Sequence, residues 1–234
     1  MNDSHAEGPP GAKRPGVAAL VLAAVAGFVD AYVYLRVTEV FIANQSGNLI
    51  VGGMSLAGAD VGDVVLPFLA VLAYVAGAAA AAAAFHHPSR HPRRRLVDTV
   101  GAVLVVLAGA ALTLTIAGEG HAAGPRTPLV ALVVVATASA MGAQATAVRR
   151  AGGVSVLTTA STGAITQVGV ELGRDRGRLD PAARTRAAKL IGIVVAYVGG
   201  ATVGGLLSVH TDVGAALLLV PCLGLVALLA VERS

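Results

Sequence analysis

The residues that can do chemistry in this chain are one acid inside an apolar stretch and two clusters of small polar side chains. Asp30 lies 13 residues into the apolar run 17–35, which is about 20 Å along a helix at 1.5 Å per residue. An ionisable group at membrane depth is costly and predicts a functional role, such as proton uptake, cation coordination or holding a helix N-terminus. Tyr34, four residues later, shares the helical face of Asp30, so its hydroxyl can reach the carboxylate. A structural contact of Asp30 to the backbone of 46–48 stays open as the alternative.

Two segments, 40–57 and 154–172, are about long enough to cross a membrane but are too rich in polar residues and glycine to face lipid. Broken or re-entrant backbone of this kind is tolerated only beside protein or water. A half-helix N-terminus presents unpaired N–H groups and a positive dipole end to a ligand, and Ser46 and Thr162 can each cap one. The alternative is that small polar residues only mend a kink. The candidate substrate-binding residues are Asp30, Tyr34, Asn44, Gln45, Ser46, Gly47, Asn48, Gln144, Thr159, Thr162, Gly163 and Gln167.

The composition indicates that membrane-spanning helices carry these residues. Of 234 residues, 13% are charged and 56% are hydrophobic, and the mean hydropathy is +0.77. A soluble globular chain has roughly 25% charged residues. This balance, with Cys222 as the one cysteine, excludes a disordered chain, a disulfide-stapled secreted domain and an ordinary soluble enzyme. Basic loops beside anionic lipid head groups explain the net charge of +4, so no nucleic acid is expected as a partner.

Six apolar runs of about 19 to 22 residues are long enough for a ~30 Å hydrocarbon core. They are 17–35, 64–85, 97–117, 128–148, 190–209 and 213–231. We therefore predict an all-α fold, a polytopic membrane helix bundle with six spanning helices and two broken or re-entrant polar segments. Residues 1–16 are predicted to form a disordered cytoplasmic tail, and residues 17–234 a single transmembrane domain.

The positions of the 17 lysines and arginines favour this topology, because cytoplasmic loops carry an excess of both. If both polar segments re-enter, 15 cations lie on the cytoplasmic side with both termini, and Arg36 and Arg126 lie outside. If all eight segments cross, the division is 10 against 7. One alternative topology remains, in which 40–57 crosses the membrane and the N-terminus is outside. It places 14 cations inside and 3 outside, but Lys13 and Arg14, directly before the first helix, oppose this orientation.

The chain also repeats itself at an interval of about 115 to 123 residues. The sequence AYVAGA at 73–78 matches AYVGGA at 196–201, and Ser46-Gly47 matches Thr162-Gly163. The repeats are 17–117 and 128–231, and each has the order helix, polar segment, helix, helix. With three crossings per repeat, the second repeat is inverted relative to the first, an arrangement typical of transporters and channels.

Two motifs make the chain resemble a known family. Gly27-Phe28-Val29-Asp30-Ala31, followed by Phe41-Ile42-Ala43-Asn44-Gln45-Ser46-Gly47-Asn48, resemble motifs of the YoaK-like family of bacterial integral membrane proteins, classed as a domain of unknown function. Ser46 stands where that family has threonine, and Ala145 where it commonly has asparagine. The resemblance covers roughly residues 17–231 and implies a bacterial cytoplasmic (inner) membrane location, but no settled substrate.

Together these patterns predict a transporter or permease for a small solute or ion, with its site between the two polar segments. A non-transporting membrane scaffold or sensor is the alternative. No enzyme activity is expected, because no histidine lies at membrane depth to activate a serine or threonine. Arginines and prolines interrupt His86, His87 and His91, so no metal site and no cofactor are expected. The lipid bilayer is the expected partner, and a homo-oligomer stays open.

Overall fold

A computed structural model describes residues 16–58, 61–86, 92–116, 128–151, 161–174 and 181–210, and the regular secondary structure in these ranges is entirely α-helical. The seven helices are α1 (Gly16–Arg36), α2 (Gln45–Ala57), α3 (Val61–His86), α4 (Pro92–Ile116), α5 (Pro128–Ala151), α6 (Ser161–Arg174) and α7 (Pro181–His210). The predicted tail, up to residue 15, and the sixth apolar run, 213–231, lie outside the described residues.

Five of these helices, α1, α3, α4, α5 and α7, are long and apolar enough to cross a membrane. Their apolar side chains suit lipid, and a helix satisfies its own backbone hydrogen bonds where no water is present. In contrast, α2 has 13 residues and α6 has 14, about 20 Å each and therefore shorter than the ~30 Å core. The prediction of an all-helical membrane protein is confirmed at this level.

The fifth of these spans is preceded by a basic segment, residues 184–189, which belongs to the same helix. Pro181 is the first residue of α7, which then continues without a break to His210. Proline is favourable at this position because the first residues of a helix have no internal partner for an N–H group. The cations of this segment therefore stand on the first turns of a spanning helix.

Side-chain packing sets the directions of three helices. Leu22, near the start of α1, clusters with Val100, near the start of α4, and with Val148, near the end of α5. Towards the other end, Val33 of α1 lines the same cavity as Leu114 of α4 and residues near the start of α5. Therefore α1 and α4 run parallel, and α5 runs antiparallel to both.

The directions of α3 and α7 follow from contacts at their ends. Arg95, at the start of α4, donates a hydrogen bond to the carbonyl of Ala84 near the end of α3, so α3 runs antiparallel to α4. Gly192 lies against Leu20, and Gly204 lies further along both helices against Phe28, so α7 runs parallel to α1. It follows that α1, α4 and α7 begin at one end of the bundle, where α3 and α5 finish.

The pairs α1–α7 and α3–α5 pack through glycines at matching positions. A Cβ at Gly27 would overlap the carbonyl oxygen of Tyr197, and a Cβ at Gly142 would overlap that of Tyr74. Gly200 meets the backbone of Ala24 in the same way, as Gly77 meets that of Ser139. Each contact in one pair has a counterpart in the other at the sequence interval of the repeat. Small residues at such crossings allow backbones to approach closely where lipid offers no hydrophobic driving force.

Candidate functional site

Asp30 is buried, with 2% of its surface exposed. Its carboxylate accepts three hydrogen bonds, two from the segment before α2 and one from α7. Its Oδ1 accepts the backbone N–H of Ile42 at 2.7 Å and that of Ala43 at 2.6 Å. Its Oδ2 accepts the hydroxyl of Tyr197, on α7, at 2.7 Å. One carboxylate therefore joins α1, α7 and the segment that leads into α2.

This surrounding explains how a carboxylate is accommodated in the bundle interior. Burying a charged group is costly unless hydrogen bonds compensate for lost water, and all three of these partners are donors. In addition, α2 begins at Gln45, two residues after Ala43, so the positive end of the helix dipole lies beside the acid. An anion at a helix N-terminus is a stable arrangement, and here the chain supplies the anion itself.

The depth of this contact follows from its place on α1. Asp30 precedes the last residue of α1, Arg36, by six residues, or about 9 Å at 1.5 Å per residue. The hydrogen bonds to Ile42 and Ala43 therefore hold the last part of the non-helical segment 37–44 at this depth inside the bundle. The start of α2 lies in the interior rather than at the end of the bundle.

Asn48 is the second residue that holds this segment, and it is fully buried. Its Oδ1 accepts the N–H of Phe41 at 2.8 Å, and its Nδ2 donates to the carbonyl of Phe41 at 2.7 Å. The same nitrogen lies 2.9 Å from Oε1 of Gln45, whose own Nε2 donates to the carbonyl of Ile42. Asn48 thus pairs with both backbone groups of one residue, as a neighbouring strand would.

The N-cap of α2 is Asn44 and not Ser46, the residue predicted from the sequence. The Oδ1 of Asn44 accepts the N–H of Gly47 at 3.2 Å and the hydroxyl of Ser46 at 2.8 Å. Ser46 therefore supports the cap from within the first turn. Gly47 is needed for a close approach, because a Cβ there would press against the ring of Phe41.

The hydroxyl that reaches Asp30 belongs to Tyr197, while Tyr34 stacks its ring on Phe41 with centroids 4.6 Å apart. Tyr197 was part of the repeated AYVGGA motif but was not among the candidate site residues. The repeat was the feature of the sequence that could have identified Tyr197. In the structure Tyr197 lies beside Gly27, as Tyr74 lies beside Gly142. The pairing itself joins residues 167 positions apart, which local spacing does not indicate.

The candidate residues of the second polar segment lie on α6 or just before it. Thr159 lies outside the described residues, and Thr162 and Gln167 lie on α6, which begins at Ser161. Gly163 is exposed, and a Cβ there would meet nothing within 4 Å. The residue that corresponds to Asp30 at the interval from Gly27 to Gly142 is Ala145, so the second repeat lacks the carboxylate that braces the first.

Gln144, the remaining candidate, is fully buried on α5. Neither its amide nitrogen nor its amide oxygen has a hydrogen-bond partner among the described residues. In the first repeat, by contrast, the side chains of Asp30, Asn44, Gln45, Ser46 and Asn48 all bond to the protein. The structure therefore brings the first-segment residues together as one network and keeps Gln144 apart from it.

The network around Asp30 contains one carboxylate among neutral polar groups. Its one carboxylate already accepts three hydrogen bonds, and the other groups are amides and hydroxyls. Within the described ranges, no group of three His, Cys, Asp or Glu residues is placed to hold a metal ion. Of the three histidines considered above, His87 and His91 lie outside those ranges.

Comparison with known proteins bears on the family of this chain. No curated protein matches it, and no solved structure matches it. A family model described as "Protein of unknown function (DUF1275)" matches residues 18–231, which includes all seven described helices except the first two residues of α1. The match extends over nearly the whole chain, and the chain therefore belongs to this family of proteins of unknown function, DUF1275.

Proposed function

We propose that this protein is a permease for a small solute or ion, built from two inverted repeats whose short helices α2 and α6 enter the membrane from opposite sides. Six helices cross the membrane in this proposal, the sixth being the apolar run 213–231. The site lies between the two short helices. The location is a bacterial cytoplasmic membrane, as in the YoaK-like proteins that the chain resembles, and both termini are cytoplasmic.

The helix directions support re-entry of both short helices. Because α1 ends and α3 begins at the same end of the bundle, α2 starts and finishes on one side. Because α5 ends and α7 begins at the other end, α6 starts and finishes on the opposite side. If 40–57 crossed the membrane, α1 would run parallel to α5, contrary to the packing of Leu22 with Val148 and of Val33 with the start of α5.

The cations support the same orientation. At the end of the bundle where α1 begins, the first turns of α4 and α7 and the last turn of α5 carry basic residues, whereas Arg36 lies at the other end. The basic residues are Arg94, Arg95, Arg149, Arg150, Arg184 and Lys189. By the positive-inside rule, this basic end faces the cytoplasm. Entry of α2 is then from the outside, and entry of α6 from the cytoplasm.

The observation that carries the transport proposal is the interior start of α2, held about 9 Å inside the bundle by Asp30. Non-helical backbone at membrane depth occurs where protein surrounds it or where it lines a cavity, and paired broken helices are a feature of transporter binding sites. The matching glycine contacts of α1–α7 and α3–α5 support the inverted relation of the repeats. In an inverted pair, α6 is the counterpart of α2 and enters from the opposite side.

A membrane scaffold or sensor is the second candidate, and one observation favours it. The polar side chains around the start of α2 are bonded to the protein itself, as expected of a structural brace. A scaffold does not move solute, so flux separates the two candidates. Both candidates are non-enzymatic and take the lipid bilayer as their main partner.

Purified protein in proteoliposomes tests the proposal. We expect vesicles with the protein to pass at least one member of a panel of small solutes and ions, with a pH dependence that Asp30→Asn removes. Asp98→Asn makes the same chemical change at an exposed position on α4 and is expected to behave as wild type. Saturable binding without flux would support a sensor, and pH-dependent flux that persists in folded Asp30→Asn would contradict the role of Asp30.

A further inference from the structure

The side-chain amide of Gln144 is buried without a hydrogen-bond partner in the described structure. The residue is fully buried, and its Nε2 and Oε1 both lack a hydrogen-bond partner in the described part of the chain. An apolar side chain of similar size would fill the same space without this cost, since a buried amide that gives up water without a new partner is destabilising. A second state of the protein, in which this amide has a hydrogen-bond partner, would explain why glutamine stands at this position.

Helical spacing places Gln144 on a defined seam of the bundle. It follows Thr137 by seven residues and precedes Val148 by four, so all three lie on one face of α5. Val148 packs against Leu22 of α1 and Val100 of α4. Gln144 therefore belongs to the face of α5 that packs against α1 and α4, and we name this contact the α1–α4–α5 seam.

The seam is loosely packed at a second place. Thr137 lines a cavity of about 20 Å³ together with Val29 and Val33 of α1 and Leu107 of α4. The hydroxyl of Thr137 donates to the carbonyl of Val133 on its own helix, so the cavity wall is apolar. A gap of this size has room for about one water molecule. The cavity and the amide without a partner in the described structure occur on the same face of one helix.

We propose that the α1–α4–α5 seam opens to admit a small uncharged polar solute, with Gln144 as the residue that binds it. An amide offers two donors and one acceptor but no charge, so it matches a ligand with both hydroxyl or amide donors and oxygen acceptors. The packing partners in the seam are aliphatic, and an ion would find no counter-charge among them. This inference rests on the proposed permease and adds to it a solute class and a second binding position, in the seam and apart from the site between the two short helices.

Thiol labelling in native membranes tests the opening without a transported solute. In a Cys222→Ser background, Gln144→Cys is compared with Met141→Cys and Ala138→Cys, two fully buried positions on the same helix. With a small membrane-permeant methanethiosulfonate reagent, we expect Gln144→Cys to react at least ~10-fold faster than either control. Equal rates at the three positions would overturn the proposal.

A second variant keeps the test decisive if the cysteine variants fold poorly. Gln144→Met keeps the side-chain length and removes the unpaired amide, so we expect a rise in Tm of about 2–4 °C in detergent. A fall in Tm would mean that the amide has a partner within the protein, and it would overturn the proposal. Both readouts concern reagent access and folding, so their failure leaves the flux experiment in proteoliposomes unaffected.

Discussion

Replacing Asp30 by alanine removes the acceptor that three donors share. The N–H groups of Ile42 and Ala43 and the hydroxyl of Tyr197 all lie within 2.7 Å of its oxygens. A hydrogen bond to a charged group contributes about 1.5–3 kcal/mol, and three of them would lose roughly 5–9 kcal/mol if the terms were additive. Removing the buried charge recovers part of this loss, so we expect Asp30→Ala to lower the free energy of unfolding by about 3–5 kcal/mol.

Two further variants separate the charge from the hydrogen bonds. Asp30→Asn keeps an oxygen where Oδ1 stands and can keep both backbone bonds, while its amide nitrogen faces a Tyr197 hydroxyl that can rotate to accept. We expect a loss of about 1–2 kcal/mol for this variant. Tyr197→Phe removes one bond and leaves the backbone pair intact, and we expect a loss of about 1–2 kcal/mol here as well.

The assay combines equilibrium unfolding in mixed micelles with hydrogen exchange. Unfolding ranks the three variants, and exchange at the amides of Ile42 and Ala43 reports on the brace itself. We expect Asp30→Ala to speed exchange at these two amides at least ~10-fold, while amides in the middle of α5 keep their protection. Stability of Asp30→Ala within about 1 kcal/mol of wild type, or unchanged exchange at both amides, would refute the reasoning.

Three other predictions follow from the packing and the topology. Gly142→Leu forces a side chain into the backbone of α3 and should cost about 3 kcal/mol or more in an unfolding assay, whereas Gly199→Leu, at a position open to lipid, should cost less than about 1 kcal/mol. Asn48→Ala leaves both backbone groups of the residue it pairs with unsatisfied, and chemical unfolding should show a loss of about 2–4 kcal/mol. In a Cys222→Ser background, an impermeant thiol reagent added to intact cells should label Glu39→Cys but not Arg150→Cys, and the reverse pattern would contradict the proposed orientation.

Much of the architecture was predictable because the membrane constrains both composition and length. Apolar runs of about 20 residues predict spanning helices, and five of them are helices in the structure. Interruption by Asn44, Gln45 and Asn48 predicted the break before α2, because such residues do not face lipid. The repeat at 73–78 and 196–201 also marked the two tyrosines that lie beside Gly27 and Gly142.

The details of the site depended on contacts between distant residues. Both Ser46 and Asn44 are suitable caps by residue type, and the position of the helix start decided for Asn44. Likewise, Tyr34 lies near Asp30 by helical spacing, whereas Tyr197 reaches the carboxylate because α7 crosses α1 at close range. Local rules rank candidates within a helix, but they carry no information about which distant helix packs against it.

The sequence by itself determined that this is a helical membrane protein, which stretches form its apolar helices, and that Asp30 lies within one of them. These properties depend on residue type and spacing along one segment, which the bilayer selects directly. The sequence did not determine where every helix begins, because the run 190–209 belongs to a helix that starts at Pro181. Only the tertiary structure decided that Asp30 braces the start of α2 and that Gln144 has no partner in the described part of the chain. A polar group's role depends on which donors and acceptors surround it, and packing between helices brings those together.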